Sequence, residues 1–417
     1  MFHRSVSVLD ADTRGGLYYS DVSTTNSGGG KRLEVVTVNA RGFGRSIFLH
    51  SPELEAYSYP EDNPFRTERA AMTREILVSH GMLSGRGRAE HEASAAERDV
   101  LEKFHVRRYL DAIVAAEGGQ LDIEGLQMGL GTPDCPVFRG MYECAALACG
   151  ATLTGAHLIL DGRADVAFNP AGGHHHAGPA TASGFCYVND VALGCLMLAE
   201  RHRRVLYIDV DVHHGDGVQD AFYDRSDVMT ISLHQNGRTL FPGTGFPGDI
   251  GVGDGRGFSV NAPLPPGTYD EQYMRAFGAI VPPLAGAFDP DVIVLELGMD
   301  GLSGDPLGGL KLTNNVYADI IETIMGFGKP ILATGGGGYH PGNTARAWAL
   351  AWCIFCGEGG HDDLVGLGGI MLENTDWIAG LRDRVLVVEA VEAGEIEEAV
   401  SDTIRAVEAN VFAIHGL

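Results

Sequence analysis

Residues Tyr207–Gly217 read YIDVDVHHGDG, with Asp209, Asp211 and His213 alternating with apolar residues at the end of a hydrophobic run. In extended backbone, positions i, i+2 and i+4 project to one side, so two carboxylates and an imidazole converge. Three such groups on a buried strand are costly to desolvate unless they bind a cation or one another. Taken alone, the segment leaves both readings open, a metal site or a hydrogen-bonded structural cluster. Asp300 follows VIVLELGM, a second place where an acid stands as an apolar strand would leave a sheet. Asp211, His213 and Asp300 together would supply three N/O ligands and leave a coordination position for water and substrate, as catalytic metals require. That donor set suits zinc and is compatible with iron(II), cobalt or manganese.

Two other segments offer chemistry. Ala171–Cys186, AGGHHHAGPATASGFC, carries three consecutive histidines. They could be a solvated loop or an adventitious metal site. Imidazole is also the natural proton carrier for amide hydrolysis, and Asp209 and Asp216 are available to orient it. In LATGGGGYHPGNTARAW, four glycines let the backbone bend sharply or approach a ligand closely. Tyr339 is then either an exposed turn residue or a phenol aimed at a polarised carbonyl.

Such residues need a scaffold. Short apolar runs at 164–169, 204–210, 228–234, 292–298 and 330–335 alternate with helix candidates at 190–201, 270–285, 315–326 and 344–355. Helical periodicity also marks 67–82 and 107–117, and 139–160 reads as a long, buried, small-residue helix. Apolar strands separated by helices predict an α/β fold, a mainly parallel sheet with helices on both faces. Chemistry in such sheets collects at the carboxyl ends of the strands, where these motifs fall. Residues 1–46 differ: LYYSDVSTT and RLEVVTVN favour strands around NSGGGK, predicting a hairpin-like extension. The division expected is an extension at 1–46, a catalytic domain at 47–375 and an accessory segment at 376–417 ending in a helix over 395–411.

The 417 residues carry a formal charge of −25, with 45% hydrophobic and 20% charged residues. An acidic chain lacks the basic stripe that phosphate binding needs, which argues against nucleic acid as a partner and accommodates a basic substrate. Seven cysteines, an odd number spread over a long chain, do not form a secreted disulfide framework. The Cys353–Cys356 pair reads as buried helix. The N-terminus has no apolar stretch long enough for a signal peptide, and no run of 18 uninterrupted apolar residues predicts a membrane span. A cytoplasmic protein is expected.

In this order, GGHHHA, GFCYVND, YIDVDVHHGDGV, FPGTG, LGMDGLSGDPLG and TGGGGY resemble the zinc-dependent histone deacetylase family, its class I enzymes and the bacterial acetoin-utilisation deacetylases above all. The resemblance runs from about Ser46 to Cys356 and implies the arginase/deacetylase fold. It implies metal ligation by Asp211, His213 and Asp300. It makes His175 and His176 the tandem histidines, paired with Asp209 and Asp216, and Tyr339 the oxyanion donor. Gly184, Phe185 and Phe241 would wall a channel for the lysine stem, with Leu307 at its rim. Asp134, in GTPDCP, would grip substrate backbone amides, and Arg69, in NPFRTERA, would line a channel for acetate release. A structural K+ or Na+ would use Asp209, Asp211, His213, Ser232 and Leu233. The chain departs from the family pattern at His174, where an aliphatic residue is usual, at Asn63, where histidine is commoner, and at Met299, where alanine is usual beside a ligand. Met299 is expected to reshape the pocket.

The chemistry expected is metal-assisted hydrolysis of an acetyl or related acyl group from a lysine side chain of a protein or peptide. His176 is expected to act as general base and then acid, with His175 acting mainly by electrostatics. Acetylpolyamine hydrolysis is the nearest rival; Leu307 argues against it, because a carboxylate there would better select a second amine. A non-catalytic acyl-lysine binding protein is the rival of another class, and arginase-like guanidine hydrolysis would need a two-metal site. The sequence leaves a homo-oligomer open.

Overall fold

The computed structural model describes residues 44–201, 204–358, 380–386 and 390–417, with the strand backbones at 16–20 and 34–38. Strands β1 (Gly16–Ser20) and β2 (Glu34–Val38) pair antiparallel as a separate two-stranded sheet. The principal sheet holds β3 (Ser46–His50), β4 (Arg88–Glu92), β5 (Val166–Asn169), β6 (Val205–Asp209), β7 (Val228–Gln235), β8 (Ser259–Leu264), β9 (Val292–Glu296) and β10 (Ile331–Thr334). Their order is β4-β3-β5-β10-β9-β6-β7-β8, and every neighbouring pair is parallel.

The helices are α1 (Glu68–Ser79), α2 (Arg98–Leu101), α3 (Arg107–Glu117), α4 (Ile123–Gln127), α5 (Met141–Leu160), α6 (Asp190–Ala199), α7 (Asp216–Phe222), α8 (Asp270–Phe288), α9 (Asn314–Met325), α10 (Pro341–Phe355) and α11 (Ala390–Val411). Strand alternation divides the core between the two faces. Leu206, Ile208, Ile293 and Leu295 pack with α1 and α8 to α11, whereas Val205, Tyr207, Val292 and Val294 pack with α5, α6 and α7. Each fully buried aliphatic side chain contributes about 1.5–3 kcal/mol, so a sheet covered on both faces is strongly held in register. The α/β sandwich expected from the apolar runs is the fold observed.

Helix α5 is apolar and long enough to cross a membrane, but 78% of its apolar window is buried inside the protein. It packs on α6, β3, β5 and β10. Near the C-terminus, α11 seats Ile396, Val400, Ile404, Val407 and Val411 in the same core as α8, and Thr403 Oγ1 donates to the Pro263 carbonyl of β8 at 2.7 Å. All seven cysteines are unpaired, and Cys353 lies buried within α10, with Cys356 at its C-terminal end.

At the carboxyl end of the sheet, register lines up five polar residues across five strands. Ser232 stands beside Asp209, Asp209 beside Glu296, Glu296 beside Thr334, and Thr334 beside Asn169. The site is built on this row.

Candidate active site

The chain leaves β6 at Asp209 and continues through Asp211 to His213, with the carboxylates ordering the turn. Asp209 Oδ1 accepts the Asp211 amide at 3.1 Å, Asp211 Oδ1 accepts the His213 amide at 2.8 Å, and Asp300 Oδ1 accepts the Val212 amide at 2.9 Å. His213 Nδ1 then lies 3.1 Å from Asp211 Oδ1 and 3.0 Å from Asp300 Oδ2. Donor atoms of Asp211, His213 and Asp300 all fall within 4.8 Å of one another, and all three residues are buried. Burial opposes charge on His213, yet Asp300 and Asp211 outweigh it and push the imidazole up to about 10. Burial, followed by the charge of Asp211, raises Asp300. Two buried carboxylates this close repel unless a cation lies between them. Three N/O donors within 4.8 Å of one another fit a single divalent ion.

The GGGGY loop after β10 approaches this cluster closely. The Gly337 amide donates to Asp211 Oδ2 at 2.7 Å. A Cβ at Gly337 would overlap the Asp300 carboxylate. Gly336 and Gly338 adopt φ of +133° and +127°, which L side chains rarely reach. Both a sharp bend and a close approach are therefore present. Tyr339 is half-buried, with its ring centroid 6.4 Å from that of His213. Burial and the carboxylates of Asp300 and Asp211 hold its phenol well above 10, so it remains a protonated donor.

His175 and His176 lie beside the cluster with their Nε2 atoms 3.0 Å apart. His175 Nδ1 meets Asp209 Oδ2 at 2.9 Å, and His176 Nδ1 meets Asp216 Oδ1 at 2.7 Å. Burial opposes charge on His175, but Asp209, Asp211 and Glu296 overcome it and raise the imidazole well above its usual 6.5. Burial and the neighbouring charge of His175 lower His176 to about 4. The network then assigns the protons: His175 donates from both nitrogens, while His176 donates Nδ1–H to Asp216 and keeps a lone pair on Nε2.

Above the cluster, Asp134, Gly184, Phe185, Phe241 and Leu307 line one cavity of about 420 Å³ that has His213 in its wall. Phe185 takes a positive φ of 67°, with its carbonyl accepting the Tyr59 hydroxyl at 2.7 Å. The Phe241 ring stands 5.0 Å from that of His176. Asn63 also lines the cavity and donates to the Pro133 carbonyl at 3.1 Å, tying its loop to that of Asp134. Met299 does not reshape this cavity as expected; it is fully buried in the core on the α8 and α9 face. Its side chain packs in that core, and its backbone amide donates to the Gly337 carbonyl at 2.9 Å.

Arg69 is buried behind the glycine loop, where its Nη1 donates to the Gly338 carbonyl at 2.7 Å. It lines a small internal cavity with Tyr59, Phe65, His174 and Trp348. Of the residues expected to hold a monovalent cation, Asp209 and Ser232 are register partners on β6 and β7, and Leu233 follows Ser232. The Ser232 hydroxyl also contacts His234 Nδ1 at 2.8 Å.

Three site residues escaped the sequence reading. Asp190, at the start of α6, accepts the amides of Gly173 and His174 and the Thr152 hydroxyl, and so shapes the histidine loop. Glu296 is fully buried; its Oε2 accepts the Thr334 hydroxyl at 2.7 Å, while Oε1, 3.7 Å from His175 Nδ1, has no hydrogen-bond partner. An acid inside the apolar run VIVLELG was the available signal. Asp305, in LSGDPLG, accepts the amides of Tyr339 and Leu307.

Comparison with known proteins adds an independent line. The model of the histone deacetylase domain matches residues 63–355. Histone deacetylase 8 of Danio rerio is 42% identical over 306 residues, covering 72% of this chain and 79% of that protein. Histone deacetylase RPD3 of Saccharomyces cerevisiae is 38% identical over 321 residues, covering 76% and 73%. Among solved structures, an HDAC homolog complexed with SAHA superposes with a TM-score of 0.75 at 30% identity, covering 87% of this chain and 99% of that one.

Proposed function

The chain belongs to the histone deacetylase family, and from that premise we propose that it hydrolyses the amide of acyl-lysine side chains with a zinc ion held by Asp211, His213 and Asp300. The carrying observation is the convergence of two carboxylates and an imidazole within 4.8 Å, beside a paired-histidine network and below a cavity of about 420 Å³. When bound, the ion supplies Lewis acidity to the acyl oxygen and to water.

The chain's own residues do the rest. Phe185 and Phe241 hold the lysine stem, Gly184 leaves room between them, and Asp134 accepts hydrogen bonds from the substrate backbone. His176 Nε2, the unprotonated nitrogen of the pair, exchanges its hydrogen bond from His175 for one from water, takes the proton from that water and then delivers it to the leaving amine. His175 stays charged against Asp209 and favours negative charge developing on the acyl group. Tyr339 donates its phenolic proton in a hydrogen bond to the acyl oxygen as that oxygen gains charge. Arg69 borders the small cavity through which acetate departs. Asp209, Asp211, His213, Ser232 and Leu233 hold a structural K+ or Na+ behind the site.

The test is turnover of an acetyl-lysine peptide against acetylputrescine, with and without a chelator. The peptide should be the better substrate, chelation should abolish its hydrolysis and zinc should restore it. SAHA, which the related HDAC homolog binds, should compete with the peptide. Preference for acetylputrescine, or full activity after metal removal, overturns the reading.

A further inference from the structure

The peptide group linking Gly338 to Tyr339 is held at both ends. Its carbonyl accepts from Arg69 Nη1 at 2.7 Å, and its N–H donates to Asp305 Oδ2 at 2.7 Å. The other carboxylate oxygen, Oδ1, accepts the Leu307 amide at 2.9 Å. Asp305 is buried, and it lies on the loop after β9 while Tyr339 lies on the loop after β10. On the glycine side, Gly337 is itself held, its amide by Asp211 Oδ2 at 2.7 Å and its carbonyl by the Met299 amide at 2.9 Å, and the next peptide is the one gripped by Arg69 and Asp305. Gly336 and Gly338 sit at φ values open to glycine, where backbone freedom is greatest. A tyrosine on such a loop finds one orientation only if its own peptide plane is fixed.

We propose that Asp305 is the positioning residue for Tyr339. By gripping the Tyr339 amide while Arg69 grips the carbonyl of the same peptide, it sets the plane from which the phenol reaches the acyl oxygen. The Leu307 contact locks the channel rim and the oxyanion donor into one unit. Asp305 touches neither substrate nor metal in this role and acts through Tyr339. The inference rests on the deacetylase reading above and deepens it.

The experiment is a double-mutant cycle on the full-length, zinc-loaded protein, with acetyl-lysine peptide as substrate. Asp305→Asn can keep one amide contact through its carbonyl oxygen but cannot accept both. It should lower kcat by roughly tenfold or more, with KM changed far less. Tyr339→Phe should lower kcat by about 10²–10³. In the Tyr339→Phe background, Asp305→Asn should cost less than about twofold, because the donor it positions is gone. Zinc content and melting temperature are recorded for all four proteins. Equal losses in both backgrounds would overturn the proposal, since Asp305 would then act elsewhere, and so would an unchanged kcat in the single variant. If Asp305→Asn loses zinc or melts early, the cycle is run with Asp305→Glu, whose carboxylate is one methylene longer, and the same two outcomes decide. An inactive parent protein that is folded and zinc-loaded would instead defeat the deacetylase reading and is distinguishable at the first measurement.

Discussion

His175 and His176 are adjacent in the chain, yet their surroundings drive their charges apart. His175 faces Asp209, with Asp211 and Glu296 close by, and is held charged. His176 has Asp216 on one nitrogen and a charged neighbour on the other, so burial prevails and its imidazole falls to about 4. A base with a depressed pKa is active above that value and lost as pH falls through it. Turnover per bound metal should therefore hold down to about pH 5 and fall below it. Asp216 raises the His176 value, so Asp216→Asn should move that acid limb to lower pH. His176→Ala should keep its metal and lose about 10²–10⁴ in turnover. A pH–rate profile with metal content measured at each point checks all three. A limb that stays in place in Asp216→Asn would assign it to another group.

At the scale of the elements, the strand ends and glycine loops set where ligands can stand. Asp211 and Asp300 are 89 positions apart, and they meet because β6 and β9 are register partners and Gly337 admits both carboxylates. Gly337→Ala forces a methyl group into the Asp300 carboxylate. Overpacking of this kind costs about 1–3 kcal/mol, and here the strain falls on a proposed ligand. The variant should fold with a lower melting temperature and lose most of its metal and turnover, as metal analysis beside a thermal melt would show. Normal metal content would mean that the loop yields more easily than its contacts suggest. Boundaries were legible where apolar runs were long: β7, β9, α3 and α8 all begin within a residue of where periodicity placed them. Edge strands were not. RAEHE of β4 has no apolar run because it is an edge, and SVNAPL of β8, at the other edge, carries Asn261 and Pro263. An edge strand tolerates the proline because one side of its backbone needs no ladder partner.

For the whole molecule, the formal charge of −25 is expected to bear on the approach of a cationic substrate. A negative field draws cationic peptides toward the channel, and salt shortens its reach to about 10 Å at 0.1 M. For an acetyl-lysine peptide flanked by arginines, kcat/KM should fall several-fold between roughly 0.02 and 0.5 M salt. A peptide flanked by uncharged residues should change far less. Equal salt responses for the two peptides, measured under the same conditions, would show that the overall charge does not steer substrate.

The sequence by itself determined the chemistry and its scaffold. DxDxH, the histidine run, the strand-end Asp300 and GGGGY are local patterns whose residue types restrict what they can do, but Asp211 and His213 lie in the turn after β6, so that turn and not strand alternation brings them together. Tertiary structure decided how those groups act on one another. The opposed charges of His175 and His176 arise from burial and from acids up to about 120 residues away, quantities that no local window contains. Glu296 became part of the site only through β6–β9 register. Met299 packs in the core and does not line the pocket. The clamp on Tyr339 joins loops from two strands. Electrostatics and packing depend on distance in space, and the chain sets that distance only once it has folded.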